Sequence, residues 1–300
     1  MRLPCPPRPP LPDDQLAERQ VPLRYEDLSQ DGRLLVGTLG PLYGSVVWGS
    51  LLARGPVAAA AREQGVVPIL TRLTLEGEGG PFSPANPLRV AGGYDLAHSV
   101  DERGEVARVH LRIWAEVRGP TGHAYDQHGA PGAEIGAGRV FAEHVFTRLF
   151  APPAERRVVR LDLPGLPGVP PTRCEPLAPP AMLEAPAGAE ALDEPGVEPS
   201  LALFSLGHTD SNQHVNSLVY PKMFEEMALQ RLRRLGLPTA LLVRHADCLY
   251  RKPFFAGEAA EVRMQVFRAG EGFGVVGAFL PEGSGPGGRP SVALRLLLTP

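Results

Sequence analysis

The sequence predicts an α+β protein built from two copies of one unit, each an antiparallel sheet wrapped on a long helix. Three observations carry this. Apolar residues alternate with period two in two groups of segments, a strand signal: residues 69–75, 88–99, 106–117 and 135–149, then 241–250, 259–267, 273–280 and 291–298. Each group follows an apolar, helix-like segment closed by a Gly-x-(x)-Pro stop, so Gly65, Pro68 and Arg72 are echoed by Gly236, Pro238 and Arg244. Between the groups lies a proline-rich stretch, 152–199. A helix stripe packed on one face of such a sheet gives each unit a core.

Residues 1–22 carry many prolines and few large apolar side chains, and are expected to form an extended tail. A turn at Gln30-Asp31-Gly32 and a short strand over 34–36 follow. Residues 43–64 read as helix, interrupted at Gly55-Pro56 because proline lacks the N–H that a helix interior needs. The four strands of the first group complete a unit spanning 23–151. The last of them, 135–149, also has a helical reading, but strand suits its place in an antiparallel run. The LPGLPGVPP and EPLAPPAMLEAPAG runs make 152–199 a tether without packed elements. A second unit spans 200–300, with a short strand at 200–206, a helix ending near Leu235 at Gly236 and Pro238, and four strands.

The 43% hydrophobic content supports a sizeable core, and 33 acidic against 30 basic residues give a net charge of −3. No basic footprint for nucleic acid exists. Cys5, Cys174 and Cys248 are isolated, with neither metal spacing nor an even framework, so a reducing compartment is expected. With no apolar run long enough to span a bilayer and no secretory-type N-terminus, the expectation is a cytoplasmic protein away from membranes.

One stretch concentrates chemistry. Residues 207–226, GHTDSNQHVNSLVYPKMFEE, place Asp210, Asn212, His214 and Asn216 at alternate positions. Tyr220, Met223, Phe224 and Met227 then recur at helical spacing. Polar side chains thus precede a helix N-terminus, whose free N–H groups favour negative charge. Asp210 or His214 would activate water, Asn212 would hold a water or a carbonyl, and the helix start would stabilise an oxyanion. The same residue types also cap helices and build turns. Glu225 and Glu226 either face this site or lie on a solvated face. Cys248 reads as a buried thiol, with His245 its one basic neighbour in sequence. Asp126 and His128 read as a surface turn. His98, His110 and His144 lie on strands without shared spacing, so no metal or cofactor is expected. The first half has LGPLYGSVVWG at its helix start, so one active centre per chain is expected, with the first half shaping the pocket.

The run Asp-Ser-Asn-Gln-His-Val-Asn-Ser-Leu-Val-Tyr from Asp210 resembles the DxNxHVNxxxY element of hot-dog acyl thioesterases, chiefly acyl-ACP thioesterases, and the wider 4-hydroxybenzoyl-CoA thioesterase-type group. Residues 247–262, DCLYRKPFFAGEAAEV, are similar to the strand–Pro–Gly pattern that follows the central helix there. The close match covers about 55 residues, and the duplicated element order extends it over most of the chain. The resemblance implies a tandem (double) hot-dog fold that hydrolyses an acyl-CoA or acyl-ACP thioester, either as a monomeric pseudo-dimer or as a homodimer. It implies that Asp210, Asn212 and His214 are catalytic and that Asn216 is structural. In that reading the thioester lies over Asn216, Ser217 and Leu218, and Tyr220, Met223 and Phe224 face the substrate or the core. The acyl-ACP group carries a Glu-Cys pair after a Tyr-Arg-Arg; here Tyr250-Arg251-Lys252 is followed by Pro253-Phe254. Two alternatives stay open. One is a hot-dog enoyl-CoA hydratase, whose Asp-x-Asn-Pro-x-His differs in spacing and proline. The other is a non-catalytic acyl-binding protein.

Overall fold

A computed structural model describes residues 5–53, 56–125, 130–162, 167–285 and 287–300. Asp126 and His128 lie outside the described residues. The chain opens with β1 (Leu16–Val21), α1 (Leu39–Tyr43) continuing into a π-helical stretch over Gly44–Leu52, and α2 (Pro56–Glu63). β2 (Val67–Gly77), β3 (Leu88–Val100), β4 (Val106–Pro120) and β5 (Glu134–Thr147) follow. Next come β6 (Thr172–Arg173), α3 (Pro179–Leu183), β7 (Glu190–Ala191), β8 (Gly196–Val197) and β9 (Ala202–Leu203). The last part holds α4 (Val219–Arg234), β10 (Leu242–Tyr250), β11 (Ala259–Ala269), β12 (Gly272–Pro281) and β13 (Val292–Thr299). No helix among the described residues is long and apolar enough to cross a membrane.

The eight long strands fall where alternation places them, and 135–149 is strand, not helix. Their order is β3-β4-β5-β2 followed by β10-β13-β12-β11. Outward from the centre, each half runs in the same sequence: the strand after the helix, then the last, third and second of its group. The halves do not form separate sheets. β2 and β10 pair antiparallel, with Leu75 opposite Ala246 and Thr74 opposite Asp247, so the described strands join into one thirteen-stranded sheet.

That central pairing buries charge. Asp247 accepts from Arg72 Nε at 3.0 Å, Arg72 Nη2 at 2.8 Å and Thr74 Oγ1 at 2.8 Å. Asp247 is 5% exposed, so its desolvation is offset only because every donor is aimed at it. The opposite face of the sheet meets the helices. On α4 the buried residues Tyr220, Phe224, Met227, Ala228 and Leu232 form one stripe. The helix stops where expected: Gly236 has φ +70 and donates to Arg233 O, while Leu237 donates to Leu232 O. In the first half the helix begins earlier than periodicity indicates, at Leu39, because Leu39, Leu42, Tyr43, Val46 and Val47 are all buried.

Other expectations are corrected. Residues 34–36 form no strand; Leu34 makes an isolated bridge with Leu28 before a 3-10 turn at Val36–Thr38. The expected tail contributes β1, paired with β3, and Pro6 O accepts the Trp114 indole N–H at 3.0 Å. The described residues of the expected tether 152–199 are laid on the sheet in several places. β6 pairs with β3, β7 and β8 pair with β11, and Met182 of α3 is fully buried against Leu249 and Ala293. Arg231 of α4 locks this segment by pairing with Asp193 and Glu198. Proline content excludes regular interior structure, but not packing of an extended chain on a sheet.

Removing one partner of the central pair strands a buried charge. Arg72→Ala is expected to lower stability by about 3–5 kcal/mol in urea unfolding, and Arg72→Met combined with Asp247→Leu to recover most of that loss.

Candidate functional site

The polar stretch folds into a tight loop, closed by a bridge between Thr209 and Val215. Inside it, Asp210 N donates to His214 O at 3.1 Å, and Gln213 N donates to Asp210 O at 2.9 Å. Gln213 sits at φ +66, a conformation that side chains other than glycine seldom adopt. The Asp210 carboxylate organises the turn: Oδ1 accepts from Asn212 N at 2.8 Å and Oδ2 from Asn216 Nδ2 at 3.1 Å. Asn216 in turn accepts Leu218 N on its side chain, at 2.9 Å, and Val219 N on its carbonyl, at 3.0 Å.

The helix N-terminus is therefore less open than the sequence implies. Leu218 and Val219 N–H are spent on Asn216, and Pro221 carries no N–H. The Ser217 N–H has no acceptor among the described residues, and its carbonyl accepts Tyr250 Oη at 2.9 Å. His214 is half-buried and directs Nδ1 toward Val215 O at 3.2 Å. A donor role for Nδ1 leaves Nε2 as the unprotonated nitrogen of the neutral ring, and no hydrogen bond engages Nε2 among the described residues. Asn212 is exposed.

Residues outside the motif hold the loop. Phe254 O accepts Val215 N at 2.8 Å, and Phe254 N donates to Tyr220 Oη at 3.1 Å. Phe254 packs on Phe204, with ring centroids 4.9 Å apart. Where the resembling group has a Glu-Cys pair, this chain thus has a clamp for the loop. Tyr220 and Phe224 are core residues; Phe224 is fully buried beside Phe279, and Met223 is half-buried. Glu225 is half-buried beside the Val243 backbone N–H, where desolvation and then Glu226 raise its pKa, while Glu226 is exposed. Neither glutamate joins the loop. Cys248 is an inert thiol, its pKa raised chiefly by burial.

The first half holds a counterpart that the sequence did not disclose. The turn 29–34 repeats the bonds of 210–215 at a constant offset along the chain. Ser29 N donates to Arg33 O at 2.8 Å and Gly32 N to Ser29 O at 2.9 Å, and Gly32 takes the positive φ of Gln213. Asp210, Asn212, His214 and Asn216 correspond there to Ser29, Asp31, Arg33 and Leu35. Arg33 cannot serve as a base, since a guanidinium keeps its proton. The turn at Gln30-Asp31-Gly32 is legible in the sequence, but its correspondence to 210–215 is not, because it lies upstream of LGPLYGSVVWG and only backbone bonding reveals the match.

Leu218 packs against the first-half helix, where a Cβ on Gly40 would come within 2.6 Å of its side chain. Two turns beyond Gly40, about 12 Å along a helix, Trp48 lines an apolar cavity of about 190 Å³. Leu52, Ala61, Leu96, Leu111 and Phe146 also line it. The volume suits roughly six groups the size of a water molecule.

No family model matches the chain, and no curated protein sequence matches it. Solved structures do. The chain is similar to an acyl-ACP thioesterase from Bacteroides thetaiotaomicron, at 15% identity and TM-score 0.56, covering 95% of this chain and 98% of that one. It is also similar to the 12:0-ACP thioesterase from Umbellularia californica, at 12% identity and TM-score 0.57, covering 95% and 94%. The chain thus shares the fold of acyl-ACP thioesterases over nearly its whole length.

Asn216→Ala removes acceptor and donor together. It is expected to cost about 1–3 kcal/mol in denaturant unfolding, the price of leaving the Leu218 N–H and an Asp210 oxygen unpaired.

Proposed function

We propose that the chain is a tandem hot-dog acyl thioesterase that hydrolyses an acyl-ACP or acyl-CoA thioester at the 210–217 loop. In this reading 23–151 and 200–300 are the two hot-dog units, with the described residues of 1–22 and 152–199 laid against them. The supporting observation is the asymmetry of the duplicated turn. Both copies share one backbone, yet only the second carries Asn212 and His214 in place of Asp31 and Arg33. The fold shared with acyl-ACP thioesterases supports the same reading. The lyase and non-catalytic readings draw no support from those structures.

His214 Nε2 takes a proton from water, and the hydroxide formed attacks the thioester carbonyl. Asn212 holds the water, and the Ser217 N–H meets the developing oxyanion. The C–S bond then breaks, the thiolate takes the proton back from His214, and the acid leaves. Asp210 acts by holding the loop in shape. The apolar cavity behind Trp48 accepts the acyl chain, and the carrier's thiol is the leaving group. A single chain, as a pseudo-dimer, suffices; a cytoplasmic location matches this substrate.

Two measurements test this. Thiol release from acyl-CoA and acyl-ACP of several chain lengths is expected to fall about 10²–10⁴-fold in Asp210→Asn/His214→Ala, with the unfolding midpoint as a control. Equal release by wild type and the folded double variant overturns the assignment. Narrowing the cavity with Ala61→Leu is expected to move the chain-length optimum down and to weaken the longest accepted chain about 10–200-fold per excess methylene.

A further inference from the structure

The sheet face turned away from the helices carries a second cluster that thioester hydrolysis does not use. His110 on β4, Glu143 on β5 and Cys174 just after β6 come from three separate segments, and their donor atoms all lie within 4.8 Å of one another. All three residues are buried, His110 to 1% exposure. The His110 Nε2 lies 2.9 Å from Ser99 Oγ on β3, while its Nδ1 has no hydrogen-bond partner and stands 3.8 Å from Glu143 Oε1. A buried ring nitrogen without a partner is costly unless something else occupies its lone pair.

We propose that His110 Nδ1, the Glu143 carboxylate and Cys174 Sγ form a zinc site with three protein ligands and one open corner, which fastens the 172–174 segment to the sheet. Nitrogen, oxygen and sulfur donors together suit zinc, at bond lengths of about 2.0–2.3 Å in a tetrahedron whose fourth corner takes a water molecule. Ligand atoms in such a tetrahedron are about 3.5 Å apart, so the His110–Glu143 pair at 3.8 Å is already near spacing, and a cluster within 4.8 Å throughout has only a small contraction to make. Ser99 supplies the outer contact: by accepting the Nε2 proton it leaves the Nδ1 lone pair for the metal.

Charge supports the assignment. Arg112 is held by Asp95 through two hydrogen bonds, and Arg72 by Asp247 through two more. Both guanidinium groups also face the Glu143 carboxylate, which therefore shares its countercharge with Asp95 and Asp247. A Zn²⁺ ion with one carboxylate and one thiolate closes the local balance, the Cys174 proton passing to solvent as the Zn–S bond forms. The donors also explain how a proline-rich run is held: Cys174 N donates to His98 O at 2.8 Å, and the metal would fix the side chain of the same residue.

The test uses the full chain loaded with zinc, desalted and analysed for bound metal, then reloaded with cobalt(II) for its sulfur-to-metal absorption band. About one zinc per chain is expected, together with a sulfur band that Cys174→Ser abolishes and that Cys5→Ser and Cys248→Ser preserve. Ser99→Ala is expected to weaken zinc binding about tenfold, and Glu143→Gln to lower occupancy in a chain that still folds. Zinc content equal in wild type and His110→Ala, or a cobalt band unchanged by Cys174→Ser, overturns the proposal. Neither result bears on thioester hydrolysis, which uses a different face of the sheet.

Discussion

The pairing of β2 with β10, and the buried Arg72–Asp247 contact on it, is the constraint on which the rest depends. Each half ends its sheet at the strand that follows its helix, so each would expose an edge if it stood alone. Joining the two edges removes both. This seam brings Gly40 of the first half against Leu218 of the second. The first-half helix and the candidate loop therefore share one neighbourhood, and the cavity behind Trp48 lies along that same helix.

The two turns share a backbone and differ in their side chains, and the proposed function rests on that difference. Both turns need a residue at positive φ. The first uses Gly32, which adopts it freely; the second places Gln213 there and tolerates the strain because Asp210 and Asn216 tie the loop on both sides. Arg33 is spent on Asp31 and on Pro300 O, whereas His214 keeps a ring nitrogen unengaged. The same geometry thus serves a structural role in one half and offers a base in the other.

Phe254 shows how a missing motif residue is read differently once the fold is known. From sequence, Pro253-Phe254 marks the loss of a carboxylate and a thiol. In the structure, Phe254 holds Val215 through its carbonyl and Tyr220 through its amide while filling an aromatic cluster with Phe204. The position contributes rigidity to the loop, and the proposed chemistry is assigned to His214, Asn212 and the Ser217 amide instead.

The sequence by itself determined the eight long strands and the end of α4, because period-two burial and a Gly-Pro stop are local signals. It also determined where the polar cluster lies, since Asp210, Asn212, His214 and Asn216 are contiguous. Only tertiary structure decided the rest. Whether Asp210 or His214 is free to act depends on backbone bonds closing a turn, and composition does not encode them. That proline-rich segments pack, and that His110, Glu143 and Cys174 meet, depends on strand register between residues far apart in the chain. Local periodicity has no access to such long-range pairing, whereas hydrogen-bonded register fixes it.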